Sequence, residues 1–333
     1  MFGFKRKEKK TDLAIVNRSF WPQGQVIGEG LLQFSEKVSE NCSVCVITQD
    51  EESLSELLAT EGRGKNVIVR TCKSYTTSSS GILKRISEAL FFMFWTFISL
   101  VRARPASVYV STNPPVVVPF IVAIYCRLFK ASYIYHLQDI HPEAANIIVP
   151  LNSILFRVLQ KMDNYTLRHA KAIVTLSEDM KKYILKRGDT SSPVYLLDNP
   201  SYDIASSSQD ARNMDIVFCG NAGRLQRIPL LISAIREYLK KGGKLKFTFA
   251  GSGVHAEDIN SLAKNHEQVD YLGVISATDA AQLVSAHQWA LLPIDDEVTK
   301  YAFPSKSSGY ALSGTGVIAI CGYETSVARW VKE

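Results

Sequence analysis

The 333 residues, 46% hydrophobic and 21% charged, describe a folded chain long enough for two domains with cores of their own, and they exclude a disordered one. The net charge of +6 suits an anionic ligand or an anionic membrane surface without singling out either. Six cysteines and no signal peptide point to a reducing, cytoplasmic compartment.

The first residues carry a basic run, Lys5, Arg6, Lys7, Lys9 and Lys10, which reads as a solvated tail or as a contact with a cytoplasmic membrane face. Residues 12–16 predict the first strand of an α/β domain. A loop with Gly24, Gly28 and Gly30 follows, then an amphipathic helix carrying Leu31, Leu32, Phe34 and Val38. Strand, glycine loop and helix form a phosphate-friendly order, but the spacing is neither G-x-G-x-x-G nor a Walker A, which disfavours a dehydrogenase. Cys42 and Cys45 form a C-x-x-C. Cys45 falls inside the next strand and no second pair completes a zinc site, so both are expected as buried thiols.

Residues 44–48 and 67–69 predict further strands. Residues 89–101 are thirteen uncharged positions crowded with Phe and Trp, with Lys84 and Arg85 before them and Arg102 and Arg104 after. That run is short for a bilayer span, which needs about 20 residues. It reads as a buried helix or as an interfacial membrane-associating one.

Residues 107–110 predict a strand stopped by Asn113-Pro114-Pro115. Residues 133–136 predict another, running into Leu137-Gln138-Asp139-Ile140-His141-Pro142-Glu143. Ligands bind at the carboxyl ends of parallel strands, which makes His136 and Asp139 candidates for sugar or acceptor contacts, with Asp139 the better group for proton transfer. The same residues would also serve with Asp139 as a helix cap, and their spacing speaks against a metal site.

Residues 153–169 predict an amphipathic helix, 172–177 a strand, 178–186 a helix and 194–197 a strand. Pro, Asn and Ser then cluster. The first domain is therefore placed at 1–198, a linker at 199–213 and a second domain at 214–333.

The second domain restarts the α/β pattern at 215–219. Gly220-Asn221-Ala222-Gly223-Arg224-Leu225-Gln226 lies between that strand and a helix, where backbone N–H groups around Gly223 and the Arg224 guanidinium can hold a diphosphate, with Arg227 a second candidate. A strand at 247–250 ends in Gly251-Ser252-Gly253. Near the end, Phe303-Pro304-Ser305-Lys306 precedes a predicted helix at 307–312, capped by Ser305, and a strand at 317–320 that reads as buried on both faces. Lys306 beside a helix N-terminus suits a phosphate, and the same residues also fit an ordinary αβ unit with a surface lysine.

Pro304-Ser305-Lys306 with Tyr310, Ala311, Gly314 and Gly322-Tyr323-Glu324 resembles the donor segment of the family 4 glycosyltransferases. His136-x-Gln138-Asp139-x-x-Pro142-Glu143 and Gly220-Asn221-x-Gly223-x-x-Gln226 resemble two further segments of that family, although Arg227 replaces a final Gly. The resemblance spans nearly the whole chain and leans to the bacterial branch that builds O-antigen, capsule and colanic acid, including fucosyl and N-acetylfucosaminyl transferases. It implies an α/β GT-B fold, with two Rossmann-like domains whose parallel sheets face each other across a cleft. It also implies retaining transfer from a UDP- or GDP-sugar to a polyprenyl-diphosphate-linked saccharide at the inner membrane face, with no metal or other cofactor and no nucleic acid. Gly28 is then expected in the cleft, and Gly251 and Gly253 where the nucleotide approaches the backbone.

Tyr301 and Gly309 stand where the family carries a pair of glutamates, the second of which usually holds the ribose. The relatives also continue through another strand and helix past the position of Glu333, so the second domain is expected to be incomplete. These departures favour, as an alternative, a non-catalytic or inactive partner in polysaccharide assembly; a sugar-nucleotide epimerase of the same fold is a rival within enzymes.

Overall fold

The computed structural model of the chain describes residues 11–23, 25–50, 53–76, 80–201, 212 and 214–333. The basic run at 5–10, Gly24 and most of the linker expected at 199–213 lie outside the described residues. The chain divides into two compact units, Met1–Leu197 and Asp198–Glu333.

The first unit runs β1 (Leu13–Val16), α1 (Gln25–Ser39), β2 (Val44–Asp50), α2 (Leu54–Thr60), β3 (Val67–Lys73), α3 (Ile82–Ala103) and β4 (Ser107–Ser111). It continues with α4 (Val117–Phe129), β5 (Ser132–His136), α5 (Glu143–Ile148), α6 (Ser153–His169), β6 (Ala172–Thr175), α7 (Glu178–Gly188) and β7 (Val194–Leu196). Its seven strands pair in parallel in the order β3-β2-β1-β4-β5-β6-β7. Every residue of β2 is buried, as the unbroken apolar run demands of a strand covered on both faces. Right-handed crossovers put α1 and α2 on one face and α3, α4, α6 and α7 on the other, where α3 packs on α4, α4 on α6 and α6 on α7. Ile15, Phe20, Leu32, Val46 and Leu58 fill the first interface.

Three expectations change here. Gly28 and Gly30 lie inside α1 and not in a loop. The glycine at 28 lets the helix pass close to the preceding chain, since a Cβ there would come within 2.8 Å of the backbone of Phe20 and Trp21. Cys42 is exposed although Cys45 is buried, because Cys42 precedes the strand. The apolar run at 89–101 is the middle of a 22-residue helix, α3, which is longer than its uncharged segment.

The second unit runs β8 (Met214–Cys219), α8 (Ile228–Lys240), β9 (Phe247–Ala250), α9 (Ala256–Asn265), β10 (Val269–Tyr271), α10 (Ala277–Ser285) and β11 (His287–Pro293). A short 3-10 turn at Val298–Lys300 leads to α11 (Lys306–Leu312), β12 (Gly316–Ile320) and α12 (Ser326–Lys332). Five parallel strands take the order β10-β9-β8-β11-β12. Phe218, Phe249, Ile232, Leu262 and Leu291 belong to its core. β12 is the last strand of this sheet and only half-buried, with Ile318 exposed, so it is not the doubly covered strand that its four apolar residues suggest.

Candidate functional site

Each sheet reverses its strand order once, between β1 and β4 in the first unit and between β8 and β11 in the second. Ligands of open α/β sheets bind outside the carboxyl ends of the strands at that reversal. Several of the polar residues singled out above lie at or next to the carboxyl ends of the strands of their own unit.

In the first unit, β1 and β4 are stitched together beyond their ends. Ser111 donates to Asn17, Asn113 Nδ2 donates to Ser19 Oγ at 3.0 Å, and Arg18 N donates to the Asn113 carbonyl at 2.8 Å. His136 ends the neighbouring β5. Its Nδ1 is hydrogen-bonded to Tyr109 Oη, and its buried Nε2 has no partner among the described residues. Burial lowers this imidazole to about 4, so the ring is neutral at physiological pH.

The segment after β5 is pinned at both ends. Leu137 N donates to the Val174 carbonyl at 2.7 Å, and Arg187 Nη1 donates to the His141 carbonyl at 3.2 Å. Glu143 is a buried anchor. It accepts from Arg187 at 2.8 Å, Gln160 at 2.8 Å and Tyr183 at 2.9 Å. The other guanidinium arm meets Asp163, which also accepts from Tyr135 Oη at 2.7 Å.

Between these anchors, the Asp139 carboxylate has no hydrogen-bond partner among the described residues, and burial pushes it up to about 6. It is therefore not the cap of α5, whose N-cap residue is Pro142. A desolvated carboxylate titrating near 6 can accept from and orient a sugar hydroxyl.

In the second unit, Lys306 is the central group. Its Nζ is buried with no hydrogen-bond partner among the described residues, and it lies 3.9 Å from the centroid of the Phe218 ring. Burial lowers the ammonium to about 8, with Cys219 acting weakly the other way. A buried cation held only by a ring face retains capacity for an anion. Gly220, at φ +129, leaves room for the lysine, since a Cβ there would sit 3.4 Å from Nζ. Tyr310 on α11 ties the two strand ends together, its Oη accepting from Cys219 N at 3.3 Å.

The glycine loops differ from expectation. The N–H groups of Gly220, Ala222 and Gly251 donate to the carbonyls of Ala250, Ser252 and Gly273, and Gly223 N donates to Gln226 Oε1 at 2.9 Å. A Cβ at Gly251 would lie 2.0 Å from the Gly220 oxygen, and one at Gly253 would lie 2.4 Å from that of Ala222. These glycines let two loops interlock, and the N–H groups of Gly220, Ala222, Gly223 and Gly251 are spent within the protein.

Arg224 stands exposed at the loop, with no partner among the described residues. Arg227 is a poor second diphosphate contact, because it bonds Asp296 at 3.0 Å and approaches Asp295 at 3.8 Å. Asp296 in turn accepts from Gly322 N at 2.6 Å. Ser305 is exposed and its side chain makes no cap bond to α11. On the far side of α11, a Cβ at Gly309 would come within 3.3 Å of Ser201 Oγ. Ser201 thus closely approaches the position at which the family pattern places its second glutamate.

The sequence pattern does not single out Tyr109, Arg187 or Asp163, which read as ordinary members of a strand or a helix. Among the described residues, no three His, Cys, Asp or Glu side chains come together as a metal site.

No protein-family model matches the chain, and no curated protein matches its sequence. Its fold does match solved structures. HepE of Anabaena, solved in complex with UDP, is 14% identical at a TM-score of 0.60, over 96% of this chain and 89% of that one. WaaG, a glycosyltransferase involved in lipopolysaccharide biosynthesis, is 13% identical at a TM-score of 0.62, over 96% and 83%. A Listeria monocytogenes structure assigned as a UDP-N-acetylglucosamine 2-epimerase is 12% identical at a TM-score of 0.58, over 96% and 80%. With two parallel α/β sheets of seven and five strands, the chain has the fold of the GT-B glycosyltransferases.

Proposed function

We propose that the chain is a glycosyltransferase that moves a sugar, with retention of anomeric configuration, from a UDP- or GDP-sugar to a lipid-linked saccharide in cell-surface polysaccharide synthesis of the O-antigen or capsule kind. The reading places it at the cytoplasmic face of the membrane as a peripheral protein. The observation that carries it is the buried, unpartnered Lys306 ammonium at the strand reversal of the second sheet. The likeness to HepE with its UDP and to WaaG supports the same substrate class.

Lys306 takes the diphosphate, with the exposed Arg224 as a second cation, and together they stabilise the departing nucleoside diphosphate without a metal. The loops of Gly223, Gly251 and Gly253 shape the wall against which the nucleotide lies. In the first unit, Asp139 accepts the proton of the acceptor hydroxyl and neutral His136 holds a sugar oxygen. Gly28 acts indirectly in this scheme, by letting α1 pack against the loop after β1.

The test is calorimetric titration of the whole chain with UDP and with GDP, alongside Lys306→Ala and Arg224→Ala. Micromolar binding that both substitutions weaken is the expected result, and it names the base. Absence of binding to either nucleotide would leave the non-catalytic reading. The likeness to an epimerase favours one rival, which a product assay separates: that reaction converts the nucleotide sugar with no acceptor present.

A further inference from the structure

Helix α3 is amphipathic in the wrong sense for a core helix. Its inward side carries Glu88, Phe92, Thr96, Ser99 and Leu100, all essentially inaccessible to water. Its outward stripe, at i, i+3, i+7 and i+11, is Leu83, Ile86, Leu90 and Phe94, exposed by 84%, 50%, 46% and 62%. Glu88 accepts from the backbone N–H groups of Tyr75 and Thr76 at 2.7 and 3.0 Å, which fixes which side faces the protein. The helix is long and apolar enough to cross a membrane by length and composition alone. It cannot do so folded as it is, because its inner side is built onto the sheet and α4.

The charges of this helix layer are segregated by sign. On α3, α4 and α6 the only acidic residues are Glu88 and Asp163, and both are buried. Every exposed ionised side chain of the three helices is basic, including Lys84, Arg102, Arg127, Arg157 and Lys161. Ile154 and Leu155 on the first turn of α6 are exposed as well. Lys84 and Arg102 are 18 residues apart, five full turns, so they flank the stripe on the same side about 27 Å apart along the axis. Apolar stripe and basic flanks together match an anionic bilayer surface, with Phe and Leu below the headgroups and the long cations reaching back to the phosphates.

We infer that the outer face of α3, continued by α4 and α6, docks the chain in the plane of an anionic lipid membrane. This rests on the proposed function and deepens it by naming the surface that would meet the membrane in which a lipid-linked acceptor resides. The N-terminal half of α3 lies toward the carboxyl ends of the strands, because helix and strands run in opposite directions in a parallel α/β layer. The N-terminal end of the docked face therefore lies at the edge of the sheet that also carries His136 and Asp139.

The test is cosedimentation of the full chain with vesicles of phosphatidylcholine alone and of phosphatidylcholine with about one third phosphatidylglycerol, at low and high salt. Expected is binding to the anionic vesicles that salt weakens. Lys84→Glu with Arg102→Glu should reduce it about tenfold or more, since each basic residue near an anionic surface adds about a factor of five. Leu90→Ser with Phe94→Ser should reduce binding while leaving UDP or GDP titrations unchanged, which separates loss of docking from loss of fold. Equal binding to both vesicle types would overturn the inference. So would no binding to either, whether the chain stays monomeric or self-associates through this face in a sedimentation experiment. Vesicle binding without nucleotide binding would keep the docking surface and remove the transferase reading.

Discussion

The phenol of Tyr109 is hydrogen-bonded to Nδ1 of His136, across neighbouring strands and on one face of the sheet. Burial raises Tyr109 far above neutrality and lowers His136, so the pair is a phenol and a neutral imidazole. The phenol proton has no other acceptor among the described residues, which favours Tyr109 as donor and Nδ1 as acceptor. The ring proton must then sit on Nε2, the buried nitrogen without a partner. His136 is thus held as a neutral hydrogen-bond donor and not as a base.

Tyr109→Phe should release that tautomer with little change in packing, since Phe34 and the His136 ring still contact the aromatic face. Expected are a mixture of ring tautomers in nitrogen-15 spectra of His136 and about a tenfold fall in turnover, equivalent to about 1.4 kcal/mol. Nucleotide affinity should not move. An unchanged tautomer would show that the phenol is only a packing group.

Asp139 and Lys306 should set opposite limbs of a pH profile. Asp139, raised to about 6, acts as acceptor only when ionised, so the rate should climb as pH rises through about 6. Lys306, lowered to about 8, loses its charge above that value, so nucleotide affinity should fall as pH rises further. The rate should be bell-shaped between these values. Lys306→Arg keeps the charge and should move the alkaline limb upward. An alkaline limb that stays in place in this variant would show that another group sets it.

Arg187 bridges two buried carboxylates, Glu143 and Asp163, and through them holds the segment carrying Asp139. Removing one member of a buried ion group leaves the others uncompensated, at roughly 3–5 kcal/mol. Arg187→Met should therefore lower the melting temperature strongly. Glu143→Gln keeps an oxygen for Arg187 and should cost less, with turnover largely retained, because the Glu143 carboxylate is taken up by Arg187, Gln160 and Tyr183. Loss of turnover at unchanged melting temperature in that variant would place Glu143 in the chemistry instead.

The strands were readable because parallel sheets covered on both faces use short unbroken apolar runs, as at 44–47 in β2 and 290–292 in β11. His136 and Asp139 were readable for a related reason, as polar residues at or just past such a run, whereas Lys306 was readable because it follows Pro304-Ser305 at the start of a helix. What did not show in the letters is who bonds to whom. Gly251 reads as an open ligand loop, yet its neighbour Gly220 occupies the space. Arg227 reads as a free cation, yet Asp296, nearly seventy positions on, is bonded to it. Glu143 belongs to a recognisable motif, but only the fold brings Arg187 from α7 to meet it. The face of α3 was ambiguous because its whole middle is apolar, and only the placement of Glu88 decides which side turns inward.

Gly251 offers a sharp test of the interlocked loops. It has φ +127, and an added Cβ would lie 2.0 Å from the Gly220 carbonyl oxygen, a backbone atom that cannot swing aside. Gly251→Ala should push the loop after β9 away from the loop after β8, at roughly 1–3 kcal/mol for the overpacking alone. Because Gly220 also borders Lys306, nucleotide binding should weaken along with stability. Gly242→Ala is the control. It too has positive φ, at +81, but nothing lies within 4 Å of its Cβ, so it should cost only the backbone term of about 1–2 kcal/mol and leave the titration unchanged. If the two substitutions weaken nucleotide binding equally, loop interlock is not what shapes the Lys306 site.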